Sequence, residues 1–451
     1  MKRTRLWTFR TVLLANLVVL AITTPARAVA GQLLWDATYD GTGNGLDNVN
    51  DLSVSPTGET VFVTGQGEGI NTHFDITTVA YDSSNGDQLW AKRYDGPAHR
   101  DDYGLGITTN PDGTRVFVTG QSRGKGSAKY DAVTIAYDAV TGAKLWVKRY
   151  NTGAGVYDSG NAITSLGSKV FVFVNGPELG LLVAYATETG SLKWSADVGK
   201  RALAGALDLE AAAKNVYAIG TQFSAQYPLT DYLMAKFKTK NGALVWRKQY
   251  DGPASFVDTA NDAALSSDAS SLYVTGKSSN FGQDTITTIK LETTGGSREW
   301  DEMLAPQALG FDVGPRLAVS PDGLQVFLTA ASYDGAGLAT FLTTSYSSDG
   351  VPGWTARENG PDETGSPYGI AASGDGLVYV TGVGASTTGN TGFLTEAYSA
   401  ETGGPPMWTA FVPGVVDGDG ALSLGIAPDD SAVYVGGMYD NDYHTEAYST
   451  S

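Results

Sequence analysis

The spacing of tryptophan is the feature that most constrains how this chain folds. Eight tryptophans follow one another at intervals of 48 to 56 residues, at Trp35, Trp90, Trp146, Trp194, Trp246, Trp300, Trp354 and Trp408. A period of this size is typical of solenoids and propellers, in which each repeat buries its apolar surface against its neighbours. The 451 residues therefore form a repeat protein rather than a string of ordinary domains.

Each tryptophan comes just after a tight turn between two strands. The best copy is 136–146, where Val133, Ile135 and Tyr137 alternate with Thr134 and Ala136 ahead of the turn at 141–142. This alternation is typical of a β-strand. Glycine at position 142 suits a turn residue with positive φ.

Each period holds four strand candidates. In the second repeat they are residues 103–108, 115–120, 130–138 and 144–150, with a Pro-Asp-Gly turn between the first two. Four strands per period predict a blade of a β-propeller. We expect an all-β protein with eight four-stranded antiparallel blades, and seven blades is the alternative count.

The two ends of the chain predict how the ring closes. The last repeat stops within its turn at 447–451 and has no fourth strand, whereas Gly31–Trp35 has the form of the missing half. We therefore expect the N-terminal strand to complete the last blade. Such closure leaves no open edge around the ring.

Residues 1–28 have the pattern of a signal peptide. Lys2, Arg3, Arg5 and Arg10 precede an apolar run at 11–23, and cleavage is expected after Ala28, or alternatively after Ala30. The apolar run is shorter than the ~20 residues that span a bilayer. The sequence predicts a secreted or extracytoplasmic bacterial protein without membrane insertion, whose single propeller domain covers 29–451.

Charge and cysteine content exclude several classes of function. The chain carries −18, and without residues 1–28 its 25 basic and 48 acidic residues give −23. Such a field repels nucleic acid. The absence of Cys excludes disulfides, thiolate ligands and thiolate nucleophiles. We expect a monomer.

The spacing Ala-x-Asp-x-x-Thr-Gly-x-x-x-Trp resembles the tryptophan-docking repeat of the PQQ-like, or quinoprotein alcohol dehydrogenase-like, propellers. Ala136, Asp138, Thr141, Gly142 and Trp146 match it fully, and weaker copies extend the resemblance over residues 31–451. The resemblance implies eight blades, with each indole packed between two of them. It covers both quinone-dependent enzymes and propellers that only bind or scaffold, so the activity must be argued from the site.

The resemblance also says what a quinone enzyme would need. Such enzymes commonly stack pyrroloquinoline quinone on a tryptophan and often cover its other face with adjacent cysteines. Here every tryptophan after the signal segment holds a docking position, and there is no cysteine. We therefore expect no quinone cofactor, and a PQQ-dependent alcohol or sugar dehydrogenase is the alternative function.

An aspartate recurs twelve residues after the tryptophan in five repeats. The residues are Asp47, Asp102, Asp158, Asp258 and Asp312, and Asp419 lies near the equivalent position of a sixth repeat. This position lies between two blades, close to one mouth of the central channel. We favour a role in which each carboxylate caps its own loop by accepting backbone N–H groups. The alternative is an acidic rim that binds a cation such as Ca²⁺.

Variable loops on the same face are the expected binding region. They join the second and third strands and are rich in Gly, Ser, Asn and Tyr, at 65–74, 121–129, 221–230, 331–337 and 438–443. His73, His99 and His444 are expected at the surface, because none has a second histidine at metal-ligand spacing. The sequence thus predicts an exported, non-catalytic binding or scaffold protein, without identifying the macromolecule or glycan that it binds.

Overall fold

A computed structural model describes residues 29–450 with thirteen short gaps. The gaps are 71–72, 126–128, 154–155, 177–178, 201, 213, 224–228, 255, 281–282, 305–313, 334–338, 359–363 and 386–389. The predicted signal segment, 1–28, lies outside the described residues, as does Asp312.

The described chain forms 32 strands in eight four-stranded antiparallel sheets, which confirms the predicted eight-bladed propeller. The innermost strands are β2 (Asp47–Val54), β6 (Asp102–Thr109), β10 (Ser159–Leu166), β14 (Ala202–Ala212), β18 (Asp258–Leu265), β22 (Arg316–Val319), β26 (Gly365–Ala372) and β30 (Gly420–Ile426). The second strands are β3 (Thr60–Gly69), β7 (Arg115–Arg123), β11 (Lys169–Asn175), β15 (Asn215–Phe223), β19 (Ser271–Asn280), β23 (Gln325–Tyr333), β27 (Leu377–Ala385) and β31 (Ala432–Tyr439).

The outer half of each blade completes the sheets. The third strands are β4 (His73–Asp82), β8 (Tyr130–Asp138), β12 (Leu179–Ala186), β16 (Thr230–Lys238), β20 (Gln283–Glu292), β24 (Ala339–Ser347), β28 (Thr391–Ser399) and β32 (Asp442–Ser449). The outermost strands are β5 (Gln88–Tyr94), β9 (Lys144–Tyr150), β13 (Leu192–Lys200), β17 (Leu244–Tyr250), β21 (Arg298–Leu304), β25 (Pro352–Glu358), β29 (Gly403–Pro413) and β1 (Leu33–Tyr39). We number the blades 1 to 8 by their innermost strands, β2 to β30.

The ring closes as the sequence predicts. Strand β1 pairs antiparallel with β32, so that Trp35 lies opposite Ala447 and Tyr39 opposite Tyr443. Blade 8 therefore consists of β30, β31, β32 and β1, and its innermost strand contacts that of blade 1. The alternative count of seven blades is wrong.

The core lies between neighbouring blades rather than within one sheet. One cluster joins Phe117 and Trp146 of blade 2 to Val170, Val172 and Tyr185 of blade 3. Since both faces of a blade are covered, second and third strands are buried along almost their whole length. Each blade thus needs both neighbours to bury its apolar surface.

Several strands extend beyond the apolar segments that predicted them. Strand β7 continues to Arg123 instead of ending at residue 120, and β3 and β4 leave only residues 70–72 of the predicted loop 65–74 between them. In this extension Glu68 lies opposite Phe74. The ladder bonds are made by backbone groups, so polar residues continue a strand that hydropathy alone would end.

Candidate functional site

The docking tryptophans lie between blades. The Trp90 indole packs between Phe62 of its own blade and Tyr137 of the next, with ring centroids 5.8 and 6.0 Å away. Gly142 of the next blade lies against the ring with φ of 64°, and a Cβ there would come within 2.6 Å of the indole. Only glycine fits both the positive φ and this close approach.

Indole N–H groups connect the blades. Seven donate to a carbonyl oxygen of the following blade over 2.7 to 3.1 Å, pairing Trp35 with Ser83, Trp90 with Ala139, Trp146 with Thr187, Trp194 with Thr239, Trp246 with Thr293, Trp300 with Ser348, and Trp354 with Ala400. Within the described residues, Trp408 has no such partner. Four of these rings are buried and the other four are partly buried, and each packs against a positive-φ glycine of the following blade.

The recurrent aspartates are buried at the junctions between blades. Asp47, Asp102, Asp158, Asp258 and Asp419 are at most 1% exposed. Asp47 accepts the N–H groups of Gly41 and Glu68, and Asp419 accepts those of Val415, Val416 and Asp440. Burial raises the pKa of Asp47 to about 6 and also raises the pKa values of Asp102, Asp158 and Asp258.

The structure does not bring these aspartates together around the axis, and none of them is among the residues that line the channel. Three of them instead meet two further aspartates each, with one carboxylate oxygen per residue within 4.8 Å of the others. These acidic triads, the groups that could hold a metal ion, are Asp40, Asp47 and Asp442; Asp75, Asp95 and Asp102; and Asp231, Asp251 and Asp258. In the second triad Arg93 forms an ion pair with Asp75.

The histidines differ from the sequence-based expectation in one case. His73 and His99 are exposed, and each lies beside an aspartate of the junction between blades 1 and 2. His444 is only 5% exposed, and the prediction of a surface position for it is wrong. It lies on β32 with Nε2 3.1 Å from Glu446, because the third strand of a blade is covered on both faces.

A cavity of about 330 Å³ lies on the propeller axis. It is lined by Asn50, Asp51, Leu105, Gly106, Asn161, Ala162, Ile163, Asn261, Asp262, Arg316, Tyr368, Gly369, Ile370, Leu422, Ser423 and Leu424. In six innermost strands, one residue that lines the cavity has no partner on the second strand of its blade. These unpaired residues are Asn50, Leu105, Asn161, Asn261, Tyr368 and Leu422. Such β-bulges redirect a side chain, here into the channel.

Charged groups of the channel hold neighbouring blades together. Asp51 accepts the N–H of Ile107, and Asp262 accepts that of Leu317, both over 2.8 Å. Burial raises the pKa of Asp51 to about 6, and burial likewise raises that of Asp262 while nearby Arg316 lowers it. Both aspartates stand sixteen residues after a tryptophan, as does Arg316.

The sequence analysis missed this level of the channel. The same offset holds Gly106 and Ala162 in other blades, and aspartate occurs there in only two of the eight repeats, so the pattern is not evident. Counting polar residues at each offset from the tryptophan, rather than looking for one repeated letter, would have found it.

A row of aromatic rings crosses the face that carries the loops between second and third strands. Phe74, Tyr103, Tyr130 and Tyr157 follow one another with centroid distances of 5.9 to 6.0 Å. Arg123 lies 5.0 Å above the Tyr130 ring, and the Lys129 ammonium lies 3.9 Å from the Tyr157 centroid. Tyr157 is 51% exposed at the end of this aromatic row.

Solved structures similar to this chain differ in what they do. BamB from Moraxella catarrhalis is 14% identical, with a TM-score of 0.53 and coverage of 94% of this chain and 98% of that one. A quinohemoprotein alcohol dehydrogenase from Pseudomonas putida HK5 is 12% identical, with a TM-score of 0.60 and coverage of 94% of this chain and 78% of that one. Sqt1 from Chaetomium thermophilum is 13% identical, with a TM-score of 0.58 and coverage of 94% of this chain and 100% of that one. At these identities the likeness concerns the fold alone.

Sequence comparison assigns the family. A search of curated protein sequences found no match. The described residues contain no helix long and apolar enough to cross a membrane.

A family model described as outer membrane protein assembly factor BamB matches residues 26–179 and 133–382. The chain therefore belongs to this family of PQQ-like repeat propellers.

Proposed function

We propose that this protein is an exported, non-catalytic propeller that binds a protein partner on the face carrying the aromatic row. The observation that carries the proposal is the row itself, Phe74, Tyr103, Tyr130 and Tyr157 with Arg123 and Lys129. Tyr and Arg are the residues that most often dominate binding energy at protein interfaces. The eight docking indoles have a role in packing the blades, whereas half-exposed Tyr157 has none there.

Charge indicates the nature of the partner. The loop 121–129 beside the row contains Arg123, Lys125 and Lys129 and no acidic residue, in a chain with 48 acidic and 30 basic residues. A basic loop on an otherwise acidic protein attracts an acidic segment and repels basic ones. We therefore propose an acidic protein segment as the partner. Export is supported by the signal pattern at 1–28.

The alternative is a quinone-dependent dehydrogenase, and the described residues do not fit the quinone. Among the described residues that line the axial cavity, Tyr368 is the one aromatic residue, and the indoles pack between blades. Adding pyrroloquinoline quinone and Ca²⁺ to the purified protein should give no dye-linked alcohol oxidation. Saturable quinone binding with turnover would replace the binding function by the enzymatic one.

Site-specific cross-linking tests the binding function. A photo-reactive phenylalanine at Tyr157 should give a discrete cross-linked partner in cells, and the double variant Arg123→Glu, Lys129→Glu should abolish it. The matched control is the same group at Val140, which is 81% exposed on the opposite face. The proposal fails if both positions give the same products, or if reversing the two charges leaves the yield at Tyr157 unchanged.

A further inference from the structure

A groove of about 570 Å³ lies between blades 1 and 2, on the face opposite the aromatic row. We infer that it docks a basic protein segment in which a bulky apolar residue stands beside lysine or arginine. This inference goes beyond the proposed function, because it concerns a second surface and a partner of the opposite charge. Both surfaces can be occupied at once, since they lie on different faces of the ring.

Two turns of blade 1 and two turns of blade 2 form the groove. In blade 1 Ser83 N donates to Glu59 O over 3.1 Å, and in blade 2 Ala139 N donates to Thr114 O over 3.0 Å. The Trp90 indole donates to the Ala139 carbonyl over 2.9 Å and so joins the two blades. Because these bonds fix the walls, the groove is formed before a partner binds, which lowers the cost of binding.

An exposed valine lies on the blade 2 side of the groove. Val140 is 81% exposed, more than any other large apolar side chain of the described residues. The turn itself is held by Asp138, which accepts the N–H and the hydroxyl of Thr141. The equivalent position, two residues before the positive-φ glycine, is polar in the other continuous turns: Ser84, Glu188, Lys240, Thr294, Ser348 and Glu401. The turn therefore does not require an apolar residue there, and a binding role accounts for the valine.

A second apolar side chain lines the groove from blade 1. Leu89 is 48% exposed, and the buried Phe62 also contributes to the lining. Burying an apolar side chain of a partner against Leu89 and Val140 removes apolar surface from water on both sides and is favourable. Sites for small molecules enclose most of the ligand. Since both of these side chains remain widely exposed, the groove fits a segment of a larger partner better.

The charge of the groove selects a basic segment. The carboxylates of Glu59, Asp82 and Asp112 line it, and no lysine, arginine or histidine does so among the described residues. Hydroxyl and backbone N–H groups of their own turns donate to Asp82 and Asp112 and lower the pKa of both carboxyls. Arg115 stands beside Asp112 but does not line the groove. The groove therefore attracts positive charge and repels negative charge.

Selection from a displayed library of random peptides tests this chemistry. The bait is the full chain with Arg123→Glu and Lys129→Glu, which removes the basic charges beside the aromatic row. The matched bait carries Val140→Lys in addition, a change that the fold accepts because Lys240 has the equivalent position in blade 4. We expect peptides that are enriched only on the first bait to be basic and to contain a bulky apolar residue. Acidic peptides in that fraction would overturn the inference, as would the same enrichment on both baits or none on either.

The affinity of one selected peptide, measured by fluorescence anisotropy, places it in the groove. Val140→Thr should weaken binding about fivefold or more, and Glu59→Gln about twofold to fivefold. The matched controls are Leu192→Thr and Glu401→Gln, exposed positions outside the groove that should bind as the parent does. Equal losses in the controls would show that the peptide binds elsewhere and would overturn the inference.

Two further measurements separate this inference from its neighbours. Sedimentation of the parent chain alone should show no association that depends on Val140. A dimer that Val140→Lys abolishes would assign the groove to a second copy of the chain and would overturn the inference. Cross-linking at Tyr157 should persist in Val140→Thr, because the aromatic row lies on the other face. Failure of the groove and failure of the proposed function are therefore distinguishable.

Discussion

Two docking turns of the same shape differ in the continuity of the chain. The turn of blade 2 is one segment, in which Asp138 N donates to Ala143 O and Gly142 N donates to Asp138 O, both over 2.9 Å. In blade 8 the turn joins the two ends of the chain. There Ser449 N donates to Gln32 O and Gly31 N donates to Ser449 O, again over 2.9 Å.

The glycines of the two turns have the same role. Gly142 has φ of 64° and lies on Trp90, whereas Gly31 has φ of 74° and lies on Trp408. A Cβ on either would come within 2.6 Å of its indole. The comparison shows that packing against the indole and the ladder of the strands are enough to form the turn without a continuous backbone.

One bond is lost at the closure. Trp90 donates to the carbonyl of Ala139, whereas Trp408 has no partner among the described residues. The blade 8 turn thus retains its packing and its ladder bonds but not the indole hydrogen bond. Substitutions that change packing should therefore destabilise the blade 8 turn and the blade 2 turn to the same extent. Substitutions that change polar groups should affect the stability of the two turns differently.

The largest expected effect is the loss of the closing strand. Deleting residues 31–40 removes β1 and empties the sites of Trp35 and Gly31, and loss of the indole alone costs roughly 3–5 kcal/mol. The unpaired edge of β32 should then promote association. We expect a lower melting temperature in calorimetry and oligomers in size-exclusion chromatography. A monomeric deletion variant that melts with the parent would contradict the closure.

Removing one docking indole should have the next largest effect. Trp146→Ala should destabilise by roughly 3–5 kcal/mol through the cavity that it leaves between blades 2 and 3. Trp408→Ala should cost about 1 kcal/mol less, since that ring makes no hydrogen bond. Denaturant unfolding of both variants gives the comparison. Equal losses would mean that the indole bonds contribute little, and no loss in either would mean that the rings do not hold the blades together.

The pH dependence of stability should differ between the two junctions. Asp47 at the closure has its pKa raised to about 6, above the ordinary 3.8, by burial and by nearby Asp442 and Asp40. Folding therefore favours the protonated form, so this stability is complete below pH 3.8 and is lost as the pH rises through about 6.

Asparagine substitution at Asp47 and at Asp102, the equivalent aspartate between blades 1 and 2, should change the pH dependence of stability to different extents. Asp47→Asn should reduce the fall in stability between pH 4 and 6, which amounts to up to about 3 kcal/mol for a shift of this size. Asp102→Asn should change it less, since a Ser122 hydrogen bond and nearby Arg149 oppose the rise in the Asp102 pKa. Unfolding free energies measured across that range provide the test. Identical pH profiles for the parent and Asp47→Asn would contradict it.

A smaller effect tests the equivalence of the two glycines. Gly142→Ala and Gly31→Ala each place a methyl group against an indole at positive φ, and each should cost about 1–3 kcal/mol. The measurement is the midpoint of urea unfolding. If Gly31→Ala is harmless while Gly142→Ala is not, the end of the chain yields where the continuous turn cannot.

These comparisons also show what the sequence could predict. Strands β8 and β9 have the predicted bounds, because alternating apolar residues and a turn glycine define them. The pairing of Gly31 with the last repeat followed from the split motif. The channel residues Asn50 and Asp51 were missed, because a backbone bulge fixes their position while the side chains differ between blades.

The smallest expected effect is that of calcium. Two acidic triads can be compared: Asp40, Asp47 and Asp442 at the closure, and Asp75, Asp95 and Asp102 between blades 1 and 2. The positive charge of Arg93 balances the second triad. Thr38 stands at the equivalent position beside the first triad, three residues after its tryptophan, and carries no charge. Of these two triads, the one at the closure is where a cation would act first. Asp47 already accepts two loop N–H groups, as a capping aspartate does.

We expect millimolar Ca²⁺ to raise the melting temperature no more than NaCl of equal ionic strength does, since screening alone relieves the repulsion between the carboxylates. A larger rise with Ca²⁺ that Asp442→Asn removes and Asp95→Asn leaves intact would instead assign a cation to the triad at the closure.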